Sequence, residues 1–366
     1  MNPAALALGL GLGGVGLEYA IAWRKRRTSV FRFSSTMSNL VCGLGASAVP
    51  LVLPPTTMLL YRGVYERWAL LHLPPIVAWP LGLLALDFFY YWAHRKSHEW
   101  NLLWAPHAVH HHSEDFNITV SVREPYIGLF MLAPFFLPLA LLGVPPAVYL
   151  VGVVMHVGFG YLEHTQLVDR LPRPFEWLFA TPSNHRVHHA INPEYIDRNY
   201  GAILMIWDHL FGTYTKEDAP CVFGVTKPLG STNALWANVE HWVRTFRAAR
   251  KAPGLATKLG IVFGPPARLD DLEGSSAGRT DDGAPPLTTA MRGWILVHFV
   301  LTTAWLAVLI FRLESLSPTH RFLAMAFVIF SSVALSALID GKRFAWPLEA
   351  LRVVAFAALV AFAFPL

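Results

Sequence analysis

The chain has 366 residues, 54% of them hydrophobic and only 14% charged, with thirteen Trp and a mean hydropathy of +0.42. That balance excludes a soluble globular domain and a disordered chain, and predicts a polytopic membrane protein. A formal charge of +5 with a pI near 9.2 gives no reason to expect a nucleic-acid partner, because membrane topology itself demands basic loops; the two cysteines, Cys42 and Cys221, make neither a disulfide framework nor a thiolate metal site.

Residues 3–23 are apolar and are followed, rather than preceded, by Arg24, Lys25, Arg26 and Arg27. This is the reverse of a cleavable signal peptide and predicts an uncleaved anchor with its amino end outside. Residues 38–60, interrupted by Pro50 and the Pro54–Pro55 pair, form a second apolar run, and residues 76–93 a third. Five basic residues (Arg24, Lys25, Arg26, Arg27, Arg32) lie in 24–37 against two (Arg62, Arg67) in 61–75, which places the end of the third span on the cytoplasmic side.

The third span runs directly into the box HRKSH at 94–98. Asp87, Tyr91, His94 and His98 lie at i, i+4, i+7 and i+11, one stripe of a helix. An acid inside an apolar span needs a partner; Asp87 is expected either to orient a ligand histidine or to bond a neighbouring Tyr or Trp. Polar chain at 100–124 carries a second box, HAVHH at 107–111, and the acidic SEDFN at 113–117. The apolar runs 125–142 and 146–163, joined at Gly143–Pro146, fit either two spans or a re-entrant hairpin kinked at Pro134 and Pro138, and in both cases return to the cytoplasm. His156 and His164 stand eight residues apart on the outgoing arm, roughly on one side, with His164 at its mouth.

From 165 to 290 the chain is predicted to be largely cytoplasmic. It holds the third box, HRVHH at 185–189, and the aromatic NYGAILMIWDHLFGTY at 199–214, suited to packing under a metal site. Residues 234–247 set Leu235, Val239, Trp242, Val243 and Phe246 against Glu240, Arg244 and Arg247, an amphipathic helix suited to the membrane interface. A Gly-, Pro-, Asp- and Ser-rich stretch at 264–287 reads as a flexible linker. Three apolar runs close the chain, 293–311, 320–339 and 345–365, with Lys342 and Arg343 in a short cytoplasmic turn. The predicted organisation is N-terminal spans at 1–75, a catalytic domain at 76–262, a linker at 263–290 and an appended three-helix module at 291–366.

Residues three and four apart share a helix face, so His94 with His98, His107 with His110 and His111, and His185 with His188 and His189 can each aim imidazoles at one point. Eight such nitrogens exceed the four ligands of a closed site and predict two ions. Imidazole suits iron, copper, nickel and zinc alike, so the ligands do not choose the metal. His72, His241, His298 and His320 are isolated and read as ordinary core or surface residues, as does His209. His112 points about a hundred degrees from His111 and belongs at most behind the ligands. The fold class is all-α, a polytopic membrane bundle with a cytoplasmic histidine-rich di-metal cap.

The boxes HRKSH, HAVHH and HRVHH, in that order and flanked by apolar hairpins, resemble the fatty acid hydroxylase and sterol desaturase superfamily of membrane di-iron enzymes. The stretches YYWAHRKSHEWNLLWAPHAVHHHSEDFN, EHTQLV and TPSNHRVHHAINPEYIDRNYGAILMIWDHLFGTY look most like its alkylglycerol monooxygenase branch, over about residues 80 to 215. The resemblance implies that His94, His98, His107, His110, His111, His185, His188 and His189 are iron ligands and that His164 is the further histidine after the central hairpin. It also implies that Glu99, directly after the first box, binds a metal, tunes one or shuttles a proton. It further implies dioxygen as co-substrate and an external reductant, tetrahydropterin or a ferredoxin- or cytochrome-type donor, since no haem, flavin or nicotinamide motif is evident in the chain.

The expected reaction is hydroxylation or desaturation of a lipid C–H bond in a sterol, acyl chain or ether lipid drawn from the bilayer. A zinc-dependent membrane hydrolase and a metal transporter are the rival readings. The first lacks His-Glu-x-x-His, since His98–Glu99 has no histidine at 102; the second puts its ligands near the bilayer midplane. The Ala-, Gly-, Pro- and Arg-rich composition suggests a bacterial inner membrane.

Overall fold

A computed structural model describes residues 3–53, 56–273 and 287–363, and apart from two isolated bridges all their regular structure is helical. The chain begins with α1 (Pro3–Arg24), then α2 (Phe33–Ala48) and α3 (Thr56–Trp68). These two meet at 48°, so the second apolar run is a broken helix, in keeping with its interruption by prolines. Pro50 sits in the 3-10 turn Val49–Leu51 that ends the first half, where its missing N–H stops the ladder.

α4 (Pro75–Glu99) has 25 residues and so runs about 37 Å, longer than the roughly 30 Å of a hydrocarbon core. Its last turns, with the first histidine box, therefore project past the apolar layer. Trp100, extended at φ −121° and ψ 123°, breaks the helix and turns the chain into α5 (Asn101–His111), which carries the second box.

α6 (Gly128–Leu141) and α7 (Pro146–Glu163) form the central hairpin. The turn requires Gly143: its φ is +82°, and a Cβ there would stand 2.0 Å from the Leu71 carbonyl oxygen. With 14 residues α6 falls short of the roughly 20 that a full span needs, whereas α7 is long and apolar enough to cross.

Three short helices, α8 (Arg173–Leu178), α9 (Pro182–His188) and α10 (Ile206–Phe211), build the cap. α9 starts on a Thr181 side chain that accepts from the Asn184 N–H, with Pro182 in the first turn. α11 (Ala234–Lys251), α12 (Gly254–Val262) and α13 (Pro266–Glu273) follow, then α14 (Thr289–Phe311), α15 (Pro318–Ile339) and α16 (Ala345–Ala358). α4, α7, α14 and α15 are long and apolar enough to span, and the bent α2–α3 pair would make a fifth crossing. This is a multi-pass membrane protein.

Two cores hold the bundle. Tyr61, Leu86, Phe136, Leu139, Val148 and Tyr149 join α3, α4, α6 and α7; Tyr61 stacks on Tyr149 at 4.0 Å and donates to the Val144 carbonyl at 2.9 Å. Met37, Leu40 and Leu44 of α2 pack with Ile295, Phe299 and Leu306 of α14 and Val328 and Leu335 of α15. The C-terminal helices are therefore built into the N-terminal bundle rather than appended to it, and Asp340 binds them to the cap by accepting from Ser231 Oγ and Thr232 N.

The expected linker is likewise helical where it begins: Leu269 of α13 is buried against Ile261 and Ala249, and Asp270 pairs with Arg244. Residues 274–286 lie outside the described part. α11 buries its narrow face, Ala234, Ala237, His241, Thr245 and Ala249, and leaves Leu235, Val239 and Phe246 exposed.

Candidate metal centre

α4, α5, α9 and the residue that ends α7 bring nine histidines into one layer. They divide into two groups whose ring nitrogens lie within 4.8 Å of one another: His94, His98, His107, His111 and His188 in the first, His110, His164, His185 and His189 in the second. Each i,i+4 pair (94/98, 107/111, 185/189) stays together, while His110 and His188 cross over. The second and third boxes therefore do not each converge on one point. Adjacent helical residues diverge by about 100°, so His110 cannot face the same way as His111, nor His188 as His189.

The outer nitrogens fix the inner ones. Nδ1 of His94 meets the Tyr200 carbonyl at 2.9 Å, that of His188 the Arg198 carbonyl at 3.1 Å, that of His110 the Arg123 carbonyl at 3.3 Å, and that of His164 the Gly160 carbonyl. A carbonyl only accepts, so each of these Nδ1 atoms carries the proton and each Nε2 presents a lone pair inward. His185 Nδ1 lies 3.3 Å from Glu163 Oε2, a carboxyl group behind the ring.

Inside the layer the Nε2 atoms face one another: 3.1 Å for His94–His107 and His107–His111, 3.1 Å for His164–His110, 2.9 Å for His164–His185 and 3.2 Å for His185–His189. Nε2 of His98 and of His188 is buried with no hydrogen-bond partner. Opposed lone pairs repel unless a cation lies between them. Two nitrogens each about 2.1 Å from one ion and at right angles to each other stand about 3 Å apart, the spacing seen here. Burial holds His107, His110, His111, His185, His188 and His189 well below the ordinary imidazole value and His164 at about 4. At neutral pH they are neutral, the form that binds metal.

The loop that supplies two of the carbonyls is itself pinned. Fully buried Asp208 accepts from Tyr200 N at 2.8 Å, Gly201 N at 2.7 Å and Thr213 Oγ1 at 2.7 Å. Asn199, at φ +55°, donates to the Asn184 and Thr215 carbonyls and accepts from Thr215 N. On the other side buried Arg123 donates to the Val109 carbonyl at 2.6 Å and to Ser38 Oγ at 2.9 Å, which fixes the carbonyl that His110 uses.

The two expected acids stand elsewhere. Asp87 touches no box histidine; it accepts from Trp207 Nε1 at 2.9 Å and meets His156 Nε2 at 2.9 Å. It lies two turns, about 10 Å, before His94, too deep in the span to reach the layer. Glu99 is held by Arg95 Nε at 2.7 Å and by Lys96, outside both groups. It follows His98 by one residue, so it projects about 100° away. His156 is spent on Asp87 and the Gly152 carbonyl, and His209 stacks between Trp177 and Tyr214. His112 lies outside both groups with Nδ1 buried and unpartnered. His241 bonds Asn101 Oδ1. Glu163, Asp208, Asn199 and Arg123 escaped the sequence reading; of these only Glu163 carried a signal, an acid at the end of an apolar arm directly before His164.

The profile of the family described as Fatty acid hydroxylase matches residues 79–213, the segment that holds all nine histidines. The alkylglycerol monooxygenase of Danio rerio is 31% identical over 353 residues, covering 94% of this chain and 79% of its own length, and that of Homo sapiens is 28% identical, covering 94% and 80%. The ornithine lipid hydroxylase OlsE of Rhizobium tropici is 38% identical over 141 residues, 38% of this chain and 42% of its own. No solved structure matches the chain. The inner membrane of a bacterium, suggested by composition, finds no support in the animal origin of the relatives that match nearly the whole chain. With relatives over almost its entire length and the histidine layer inside the matched segment, the chain belongs to the fatty acid hydroxylase family of membrane lipid oxygenases, whose centre is non-haem iron.

Proposed function

We propose that the protein is a di-iron ether-lipid monooxygenase, hydroxylating the alkyl carbon beside an ether oxygen. The observation that carries this reading is the pair of histidine groups with inward lone pairs, together with relatives named alkylglycerol monooxygenases over most of the chain. His94, His98, His107, His111 and His188 would hold one iron and His110, His164, His185 and His189 the other. When bound, the iron pair supplies the capacity to cleave dioxygen and oxidise an unreactive C–H bond.

The chain's own residues prepare the site. The Tyr200, Arg198, Arg123 and Gly160 carbonyls orient the rings, and burial of most of the layer at the ends of α4 and α7 limits its contact with water. The reaction consumes the ether lipid, one dioxygen, two electrons and two protons, and yields a hemiacetal and water. The hemiacetal then breaks its C–O bond to give an aldehyde and a glycerol. The electrons come from outside the chain, from a tetrahydropterin or a ferredoxin- or cytochrome-type donor. The layer faces the cytoplasm, as the basic residues at 24–32 suggest.

The test supplies membranes bearing the wild type or His188→Ala with 1-O-hexadecylglycerol, oxygen-18 gas and each class of reductant, and traps the aldehyde with borohydride before its oxygen exchanges. Labelled hexadecanol from the wild type alone supports the reading. Iron-loaded wild type that yields none with any donor refutes the ether-lipid substrate, and purified protein holding zinc without iron refutes the oxygenase.

A further inference from the structure

A cavity of about 600 Å³ opens on the cap, and none of the nine layer histidines lines it. Its walls come from residues 170–177, from Ser183 of α9 and from Tyr214 and Lys216, and its size falls within the range of about 300–1,000 Å³ that holds small ligands. Arg170, Arg173 and Lys216 give it three cations that the chain does not neutralise. Glu176, the carboxylate in the wall, accepts from Leu171 N and from Thr181 Oγ1 at 2.7 Å each. Asp218 stands 2.7 Å from Lys216 and 3.9 Å from Arg170, one carboxylate shared by two cations. Arg173 has no hydrogen bond or ion pair among the described residues. Three cations against two carboxylates leave one positive charge, which a phosphodiester balances, and a guanidinium offers the paired N–H groups that phosphate oxygens accept.

The cavity lies where apolar helices end. α7, long and apolar enough to cross a bilayer, finishes at Glu163, and the cavity wall begins at Arg170. Lys25, directly after α1, donates to the Leu167 carbonyl at 3.1 Å, and Arg27 pairs with Asp169 at 3.6 Å, so the basic end of α1 is fastened to the same loop. Beside the cations the surface is apolar: Leu171, Phe175 and Trp177 are exposed, and Trp177 keeps one ring face on His209 at 5.1 Å. Arginine and lysine set among exposed Trp, Phe and Leu at the end of a spanning helix make a surface suited to the lipid headgroups. A soluble anion would use the cations and leave Leu171 and Phe175 in water; an anionic phospholipid uses both. The walls also belong to the chain that joins His164 to His185, so a ligand held there steadies the connection between two members of the second histidine group.

We propose that Arg170, Arg173 and Lys216 bind the phosphate of an anionic phospholipid in the adjoining leaflet, with Leu171 and Phe175 against its acyl chains. This site is separate from the histidine layer and does not depend on the ether-lipid reading.

The experiment adds dioleoylphosphatidylglycerol, dioleoylphosphatidylcholine or inorganic phosphate to the purified full chain in detergent, follows the rise in melting temperature with concentration, and counts retained lipid by native mass spectrometry. Wild type should bind the anionic lipid about tenfold or more tightly than the zwitterionic one, and phosphate more weakly than either. Arg170→Gln/Arg173→Gln, with an unliganded melting temperature like that of wild type, should lose about thirtyfold in affinity for the anionic lipid, about fivefold for each basic residue removed. Lys342→Gln/Arg343→Gln, which takes the same charge from an exposed turn that does not line the cavity, should keep it. Where the first double variant melts early, Arg173→Gln alone, which gives up no partner within the described chain, should show the fivefold loss. An anionic preference that survives these substitutions, or falls equally in both double variants, overturns the site. Phosphate that binds as tightly as the anionic lipid overturns the lipid as its occupant, and wild type indifferent between the two lipids overturns the proposal outright.

Discussion

If the proposed iron pair is bound, replacing Asp208 with Ala should weaken the hold of the first histidine group on its metal while leaving all five of its histidines in place. Asp208 touches no histidine; it fixes the loop whose Arg198 and Tyr200 carbonyls receive His188 and His94. The change strips the carboxylate from the Tyr200 and Gly201 N–H groups and from Thr213 Oγ1. Two backbone donors left unpaired in a dry site cost about 1–3 kcal/mol each, enough for the loop to move and carry its two carbonyls off the rings. Loss of such an outer partner lowers metal affinity about 10- to 100-fold, or about 1.4–2.7 kcal/mol. Iron per chain, measured by elemental analysis against rising chelator, should then show one iron released at about a tenth to a hundredth of the chelator needed for wild type, with the second unchanged. Asp208→Asn keeps one acceptor oxygen and should fall between the two. Asp208→Ala protein that folds and holds both irons against the same chelator would falsify the claim that this loop tunes the centre.

Three further outcomes follow from the geometry. His185→Ala leaves three donors in the second group, whereas His98→Ala leaves four in the first, so iron analysis should find the larger loss in His185→Ala. Asp87→Ala strands His156 Nε2 and Trp207 Nε1, and leaving such donors without their acceptor costs about 1–3 kcal/mol each. A large drop in melting temperature with iron content retained is expected, and iron loss at unchanged stability would contradict the placement of Asp87 outside the layer. At Gly152 a Cβ would stand 2.7 Å from Leu86 Cδ1, so Gly152→Val should force α4 and α7 apart, cost about 1–3 kcal/mol and lower the melting temperature in detergent; an unshifted melt would show that the two helices do not pack there.

The metal layer was legible in the sequence because helical spacing is a local property. His94 and His98, or His185 and His189, share a face whatever else the chain does. The same spacing could not say that His110 parts from His111 to join His164, since that depends on where α7 ends relative to α5. Of the two partners expected for Asp87, a ligand histidine or a neighbouring Tyr or Trp, the structure shows an aromatic one, Trp207, together with His156 from outside the boxes. The depth of Asp87 along α4 is local, but the presence of His156 and Trp207 at that depth is not.

By itself the sequence determined that the chain is a helical membrane bundle, that eight histidines in three boxes gather at one end of it, and which family's pattern they follow. Periodicity, apolar length and motif order are all written within short stretches of chain. Only the tertiary structure decided how the histidines divide into two groups, which carbonyls hold them, and that α14 and α15 share a core with α2 instead of standing apart. Those outcomes rest on contacts between distant segments, such as His94 with a carbonyl 106 residues away. No local rule fixes such a contact; it follows from how helices of given length pack against one another, with Gly82 and Gly152 allowing α4 and α7 to approach closely enough for their ends to meet in a single layer.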